Sequence, residues 1–265
     1  NRTKVINAVG LPLSSAVSYA YDRLGRLLEQ DDPDHGVYTY TYDALGNKLT
    51  EQSPKMYIAG QHRTFAYDLL SRVTSRVEPE GTSTWTYDNN TDGNLGVGKL
   101  HKEALGDFER IYSYDSFDYG RLTKTTTKIG TEIFVEKQAY DNDGKLLSIT
   151  HPASTSSPSG FVVRHQYNLL GYLERVTDSS GGTVFYQMME ADALGRAAKE
   201  WFGDGSILEQ SYDGASGRVT DQHTSNGAID IQHFSYTYDG IGNMTSRADQ
   251  VHSQWETFTF DNLDR

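Results

Sequence analysis

The chain has 265 residues, of which 36% are apolar, with 36 acidic against 24 basic side chains and a formal charge of −12. That sign argues against nucleic acid and against an anionic membrane face, since both would repel it. Cys is absent, which excludes disulfides and thiolate metal sites, and no apolar run approaches the roughly 18 residues of a membrane helix. No signal-peptide pattern is read at the start. The 18 Tyr and 25 Gly, set against 6 Pro, describe strands and turns rather than helices.

In chain order, the predicted elements are organised by a Tyr-Asp anchor. It occurs at Tyr21-Asp22, Tyr42-Asp43, Tyr67-Asp68, Tyr87-Asp88, Tyr114-Asp115 and Tyr140-Asp141, then at Tyr167-Asn168, Ala191-Asp192, Tyr212-Asp213, Tyr238-Asp239 and Phe260-Asp261. These eleven copies lie 20 to 27 residues apart. Self-similarity at a fixed period outranks other signals when an architecture is inferred. In the tightest copies the Asp is followed by two residues, a Gly and then a basic or amide residue, as in Asp22 to Gly25-Arg26, Asp43 to Gly46-Asn47 and Asp239 to Gly242-Asn243. The corresponding glycines elsewhere are Gly120, Gly144, Gly171, Gly195 and Gly217, with Ser71 standing in the copy at Asp68. The Asp is predicted to cap its own turn and the Gly to supply the positive φ that ends it.

Two residues beyond the Gly comes an apolar side chain that opens the return strand: Leu27, Val73, Leu100, Leu122, Leu146, Leu173, Ala197, Val219 and Met244, with Lys48 the exception. Before each anchor the pattern has period two. Tyr38, Tyr40 and Tyr42 share one face, as do Phe234, Tyr236 and Tyr238, and the residue between the two aromatic positions is small in nine copies. A strand does this and a helix does not. Two strands of about seven residues and two turns of about five account for the period. The fold class read from this is all-β: tandem β-hairpins forming a continuous antiparallel sheet of roughly 22 strands and about 105 Å, wide enough that it should curl or spiral. Residues 1–265 are expected to be a single array, a fragment of a longer repeat region, and the strands left at its two edges are expected to pair with other chains.

Some copies depart from the pattern. Those at Asp115 and Asp213 carry extra turn residues, and the copy at Asp88 runs from Asn89 to Gly98 before Lys99 resumes the motif. The Ser- and Pro-rich link from His151 to Gly160 is predicted to be an exposed loop.

The iterated Tyr-Asp-x-x-Gly-Arg/Asn-Leu motif resembles the Rhs/YD-repeat family, which includes bacterial Rhs and wall-associated polymorphic toxins, the B and C components of insecticidal toxin complexes, and the animal teneurins. The resemblance runs from about residue 5 to 265. It implies a hollow spiral β-shell around a C-terminal effector, in a secreted or cell-surface bacterial protein. The partners it implies are the remaining repeats and effector of the same polypeptide, or toxin-complex subunits. The toxins carry a core autoprotease segment after their repeats; no such segment is found here, so self-cleavage is not carried over.

Catalysis finds little to stand on. Recurrent Asp residues at one turn position read as caps rather than as general acids or bases. The run Asp88-x-Asn90-x-Asp92-Gly93 resembles the start of a calcium loop, yet Lys99 stands where the bidentate Glu is needed. The acidic run Asp31-Asp32-Pro33-Asp34 reads as a solvated turn. The eight His residues show no HxH or HExxH grouping, and neither a nucleophile elbow nor a phosphate loop is present. No catalytic residue, cofactor or metal is therefore expected. The function expected is a structural shell segment that encloses a toxin or effector. The alternative is an adhesion or glycan-binding module, because rings in a row could stack on sugars; cross-strand packing is their commoner use.

Overall fold

The structure, a computed structural model, describes residues 2–6, 16–91, 94–115 and 120–261. The chain divides into two compact units, Asn1–Val135 and Glu136–Arg265.

The first unit contains β1 (Arg2–Ile6), β2 (Ala16–Tyr21), β3 (Leu27–Asp32), β4 (Gly36–Tyr42) and β5 (Lys48–Gln52), a single helical turn α1 (Pro54–Ile58), and then β6 (Arg63–Tyr67), β7 (Val73–Glu78), β8 (Gly81–Tyr87), β9 (Leu100–Leu105), β10 (Phe108–Tyr114) and β11 (Leu122–Ile129). Each strand pairs antiparallel with its successor, from β1–β2 through β10–β11. The strand β12 (Glu132–Tyr140) begins before the boundary between units, and its half in the second unit pairs with β13 (Leu146–Thr150).

The second unit continues with β14 (Val162–Tyr167), β15 (Leu173–Asp178), β16 (Val184–Ala191), β17 (Ala197–Phe202), β18 (Ile207–Tyr212), β19 (Val219–Asn226), β20 (Ile229–Tyr238), β21 (Met244–Asp249) and β22 (Gln254–Thr257). It too is an antiparallel meander, each strand bonded to the next. The fold is thus all-β and built from tandem hairpins, as the period predicts.

The anchors set the strand ends. Ten of the eleven end a strand, from Tyr21 to Tyr238, and the next strand opens two residues past the turn Gly or its substitute, at Leu27 through Met244, Lys48 included. The eleventh differs: β22 stops at Thr257, so Phe260 lies beyond it and ends no strand. A second feature was not predicted. At all ten anchors the register slips; Ala20 faces Glu29 but Tyr21 faces Leu27, leaving one extra residue on the return strand. Such a bulge adds twist and bends the strand locally. Here it lets the Asp22 backbone N–H reach the Arg26 carbonyl at 2.9 Å and close the turn.

The helical turn α1 was also not anticipated. Ser53 caps it, its hydroxyl accepting from the Met56 N–H at 3.4 Å, and Pro54 opens it. Met56 is its buried residue.

Among the described residues neither unit holds a filled apolar core. In the first, the buried side chains are Val17, Met56, Ser83 and Asn94; in the second, Thr177, Ser206 and Ala248. The anchor rings from Tyr21 to Tyr238 are half-buried, while the small residue before the anchor is exposed in most copies, as at Thr41, and half-buried at Ala20 and Ser113. Same-face neighbours pack along a strand, with Tyr19 and Tyr21 centroids 6.4 Å apart and Phe234 and Tyr236 6.3 Å apart. The acidic run is a turn only in part: Asp31 and Asp32 end β3, the turn itself takes residues 33–35, and Asp32 Oδ1 accepts from the N–H groups of Asp34 and His35. The link 151–160 forms neither helix nor strand.

Candidate functional site

The recurrent chemical feature is the turn itself. At Asp22 the carboxylate Oδ1 accepts the N–H groups of Leu24 at 2.8 Å and Arg26 at 2.9 Å, and Oδ2 accepts Arg26 Nε at 2.6 Å. Asp68 does the same with Leu70 and Arg72, and Asp192 with Leu194 and Arg196. Asn243 and Asn47 replace the Arg at Asp239 and Asp43, and Asn168 caps with its amide oxygen at 3.0 Å from the Leu170 and Tyr172 N–H groups. Gly46 takes φ 94° to end its turn. Ser71 holds the equivalent position at φ 60°, a conformation that costs an L-residue strain.

The bonds hold these carboxyls ionised. The Arg26 backbone N–H leads in lowering the Asp22 pKa, as the Arg72 N–H does for Asp68; the side chains of Asn47 and Arg196 lead for Asp43 and Asp192. A general acid or base needs a pKa near the working pH and an unfilled coordination sphere. These Asp residues have neither.

The residue after the Gly does more than neutralise its Asp; it reaches the next repeat. Arg26 Nη1 donates to the Asp43 carbonyl at 2.6 Å, Arg196 Nη1 to the Gly217 carbonyl at 2.7 Å, and Asn47 Nδ2 to Ser71 Oγ at 3.2 Å. Arg72 forks onto the Asp88 carboxylate, and Lys99 Nζ donates to the Gly120 carbonyl. On the way each cation crosses the next anchor ring: Arg196 lies 4.0 Å from the Tyr212 centroid, Arg72 4.4 Å from Tyr87, Arg26 5.1 Å from Tyr42 and Lys145 5.7 Å from Tyr167.

The Tyr hydroxyl points back the other way. Tyr67 donates to the Lys48 carbonyl at 2.9 Å, Tyr87 to Val73 at 2.9 Å, Tyr114 to Leu100 at 2.6 Å, Tyr167 to Leu146 at 3.0 Å, Tyr212 to Ala197 at 2.9 Å and Tyr238 to Val219 at 2.9 Å. Each acceptor is the first residue of the preceding repeat's return strand. The hydroxyl of Tyr140 bonds Gln138 Oε1 in its own strand at 2.7 Å, as that of Tyr212 bonds Gln210 Oε1. Tyr and Arg together therefore bolt repeat to repeat. Reasoning from the sequence assigned the Tyr to packing and left the basic residue without a role. The signal was present, because a basic or amide side chain follows the Gly, or Ser71, in nine copies and Tyr172 fills the place in the tenth.

The residues considered for metal or acid–base chemistry are not assembled. Asp88 is taken up by Arg72 and by the Gly98 N–H, which together hold its pKa at about 2; Asp92 and Gly93 of the calcium-like run lie outside the described residues. Among the described residues no three His, Asp or Glu side chains are placed to hold a metal ion. Two of the scattered His do meet. His223 and His233 face each other across β19 and β20 with ring centroids 4.6 Å apart, bonded to Asp230 at 2.7 Å and Asp221 at 3.2 Å.

The family model of the RHS repeat matches residues 21–55, the stretch that holds the first two of these turns. That match supports the resemblance of the Tyr-Asp repeats to the Rhs/YD-repeat family. This YD-repeat chain matches no curated protein. In fold it is similar to a chain in the structure of the Tc holotoxin pore of Photorhabdus luminescens, at 18% identity and a TM-score of 0.57, covering 95% of this chain and 15% of that one. A similar likeness holds to the crystal structure of TcdB2-TccC3-Cdc42, at 16% identity and a TM-score of 0.53, covering 95% of this chain and 16% of that one. The YD-repeat chain thus spans about a sixth of the length of these solved chains. Among its described residues no helix is long and apolar enough to cross a membrane.

Proposed function

We infer that this YD-repeat chain is a structural segment of the wall of a hollow shell that encloses and shields a C-terminal toxin or effector domain in a bacterial, secreted or cell-surface protein. The observation that carries the reading is the bolting of one repeat to the next. Asp, Arg and Tyr side chains, which elsewhere do chemistry, are consumed in turn caps and inter-repeat contacts. A sheet so joined keeps its geometry without a filled core, which is what a wall around a cavity requires. The likeness to toxin-complex structures supports it at the level of fold. Its partners are then the remaining repeats and the effector, or the subunits of a toxin complex, and the segment contributes no catalysis of its own. Rings whose faces carry Arg26, Arg72 and Arg196 are poorly placed to stack on sugars, which favours the wall over the glycan-binding alternative.

Electron microscopy of the full-length protein tests this. A curved sheet around a cavity holding a protease-resistant domain is expected. A compact filled body, or an effector digested as fast as when it is free, overturns it.

A further inference from the structure

Of the Asn residues in the chain, only Asn226 is followed by Gly. Asn226 ends β19 and Ile229 opens β20, so Gly227 and Ala228 form the whole hairpin loop, with Gly227 at φ 61° in its first position. The Asn226 side chain is exposed, and nothing among the described residues accepts the Gly227 N–H. A Cβ added at Gly227 would meet nothing within 4 Å, so solvent reaches that nitrogen freely. Adjacent residues thus hold a neutral carboxamide and a backbone nitrogen committed to no bond.

These are the reactants of an intramolecular displacement. Once hydroxide takes its proton, the Gly227 nitrogen attacks Asn226 Cγ. A new C–N bond forms, the Cγ–Nδ2 bond breaks, and ammonia leaves with a proton from water. Water then opens the five-membered imide. Addition at Cγ gives aspartate, and addition at the backbone carbonyl carbon gives isoaspartate, in which the chain runs through Cγ. The described Asp-Gly pairs share the spacing but not the chemistry. The Gly144 and Gly205 N–H groups are taken by the Asp141 and Phe202 carbonyls at 3.1 and 2.9 Å. Ser216 holds the Asp213 carboxyl below its usual pKa, and at Asp239 desolvation is outweighed by the N–H groups of Asn243 and Gly242. An ionised carboxylate resists a nucleophilic nitrogen. Every other described Asn is followed by a residue with a Cβ, which crowds ring closure.

The Asn226 side chain is also a structural link. Its Nδ2 donates to the Asp204 carbonyl at 3.1 Å, joining this hairpin tip to the turn between β17 and β18. Aspartate has no donor for that carbonyl, and it adds a negative charge beside Asp204 in a chain already at −12. Isoaspartate lengthens the backbone by a methylene where Asn226 pairs with Ile229, next to the Asp230 that bonds His223.

We propose that Asn226 is a self-modification site, deamidating spontaneously to aspartate and isoaspartate, and that its conversion releases the β19–β20 tip from the neighbouring turn.

Ageing the 265-residue chain in mildly alkaline buffer tests this. The tryptic peptide 219–247 carries both Asn226 and Asn243, so a single digest compares them. Mass spectrometry is expected to show a gain of about 1 Da at Asn226, with isoaspartate detected by enzymatic methylation. Conversion should be about tenfold faster than at Asn243, and Gly227→Ala should slow it about tenfold. Asn226→Gln should abolish it, with far-UV circular dichroism showing the sheet intact. Hydrogen exchange at residues 204–206 and 226–229 should be faster in the aged chain than in the fresh one. An Asn226 that outlasts Asn243, or that stays intact while a synthetic peptide of residues 222–231 converts, overturns the modification site. Conversion with exchange unchanged overturns the release.

Discussion

The turn at Asp43 and the turn at Asp88 are built very differently. The first closes in four residues; the second inserts Asn89 to Gly98, and Asp88 itself takes a positive φ of 63°. Yet both end in the same bonds. Asp43 N–H donates to the Asn47 carbonyl at 2.9 Å, and Asp88 N–H to the Lys99 carbonyl at 3.1 Å. Lys99 crosses the Tyr114 ring and reaches Gly120 just as the short-turn Arg residues cross and reach theirs. Within the long loop Asn94 is buried, and its Oδ1 accepts the Tyr114 N–H at 2.6 Å. What defines a repeat is therefore the closure of the turn and the two bolts, not the number of residues between Asp and Gly. Insertions are tolerated because the loop leaves the sheet after one bond pair and returns at the other.

Acid gives the largest expected effect. The folded pKa values of Asp22, Asp43, Asp68, Asp88, Asp192, Asp213 and Asp239 are all lowered, Asp88 to about 2. A carboxyl depressed on folding stabilises the protein at pH above its unfolded value, about 3.9, and loses that contribution as the pH falls through the folded value. The melting temperature should be flat above about pH 5 and drop steeply below pH 4. A long-loop copy that plays by the same rule loses its share in the same window. Loss of stability centred near pH 6 would mean that groups other than these carboxyls hold the turns.

Next come the bolts. Tyr67→Ala and Tyr114→Ala each remove a half-buried ring and an inter-repeat hydrogen bond, expected to cost about 2 kcal/mol in urea unfolding, below the full-burial figure for an aromatic. Near-equal losses at the short and the long turn are required if the bolt is the repeat's defining feature. A loss at Tyr67 with none at Tyr114 would break the comparison.

A smaller effect is expected from replacing residues 89–98 with Ala-Leu-Gly, which converts the long turn into a short one. The sheet should survive with a net loss of about 1 kcal/mol, for the Asn94 hydrogen bond to Tyr114. Unfolding of the first unit would show that the loop carries the repeat. The smallest effect belongs to Ser71→Gly, which relieves a positive φ but gives up the weak bond from Asn47. A gain of about 0.5 kcal/mol in the same assay is expected, and a loss would show that the Oγ contact outweighs the strain.

Much of this was legible in the residues. Strand ends, return-strand openings, Asp caps and turn glycines follow from local chemistry that repeats at one spacing, and ten anchors obey it. The copy at Phe260 does not, since β22 stops three residues earlier. The helical turn at Pro54 was overlooked although Ser53-Pro54 is a start signal, because a five-residue helix has no period to read. The pairing of His223 with His233 required knowing the register of β19 on β20, which ten residues of separation do not announce.

By itself, the sequence determined the all-β class, the two-strand repeat and the positive φ of the turn glycines, because each of these depends on backbone preferences within a few residues. Only the tertiary structure decided where the long side chains go. The Arg that caps its own Asp also bonds the next turn, the Tyr that ends one strand donates to the strand before it, and a bulge at the anchor turns both into position. The physical reason is reach. These partners lie about 14 to 21 residues apart in the chain but on adjacent repeats in space, and a contact of that separation is set by register and bulge geometry, which local composition does not encode.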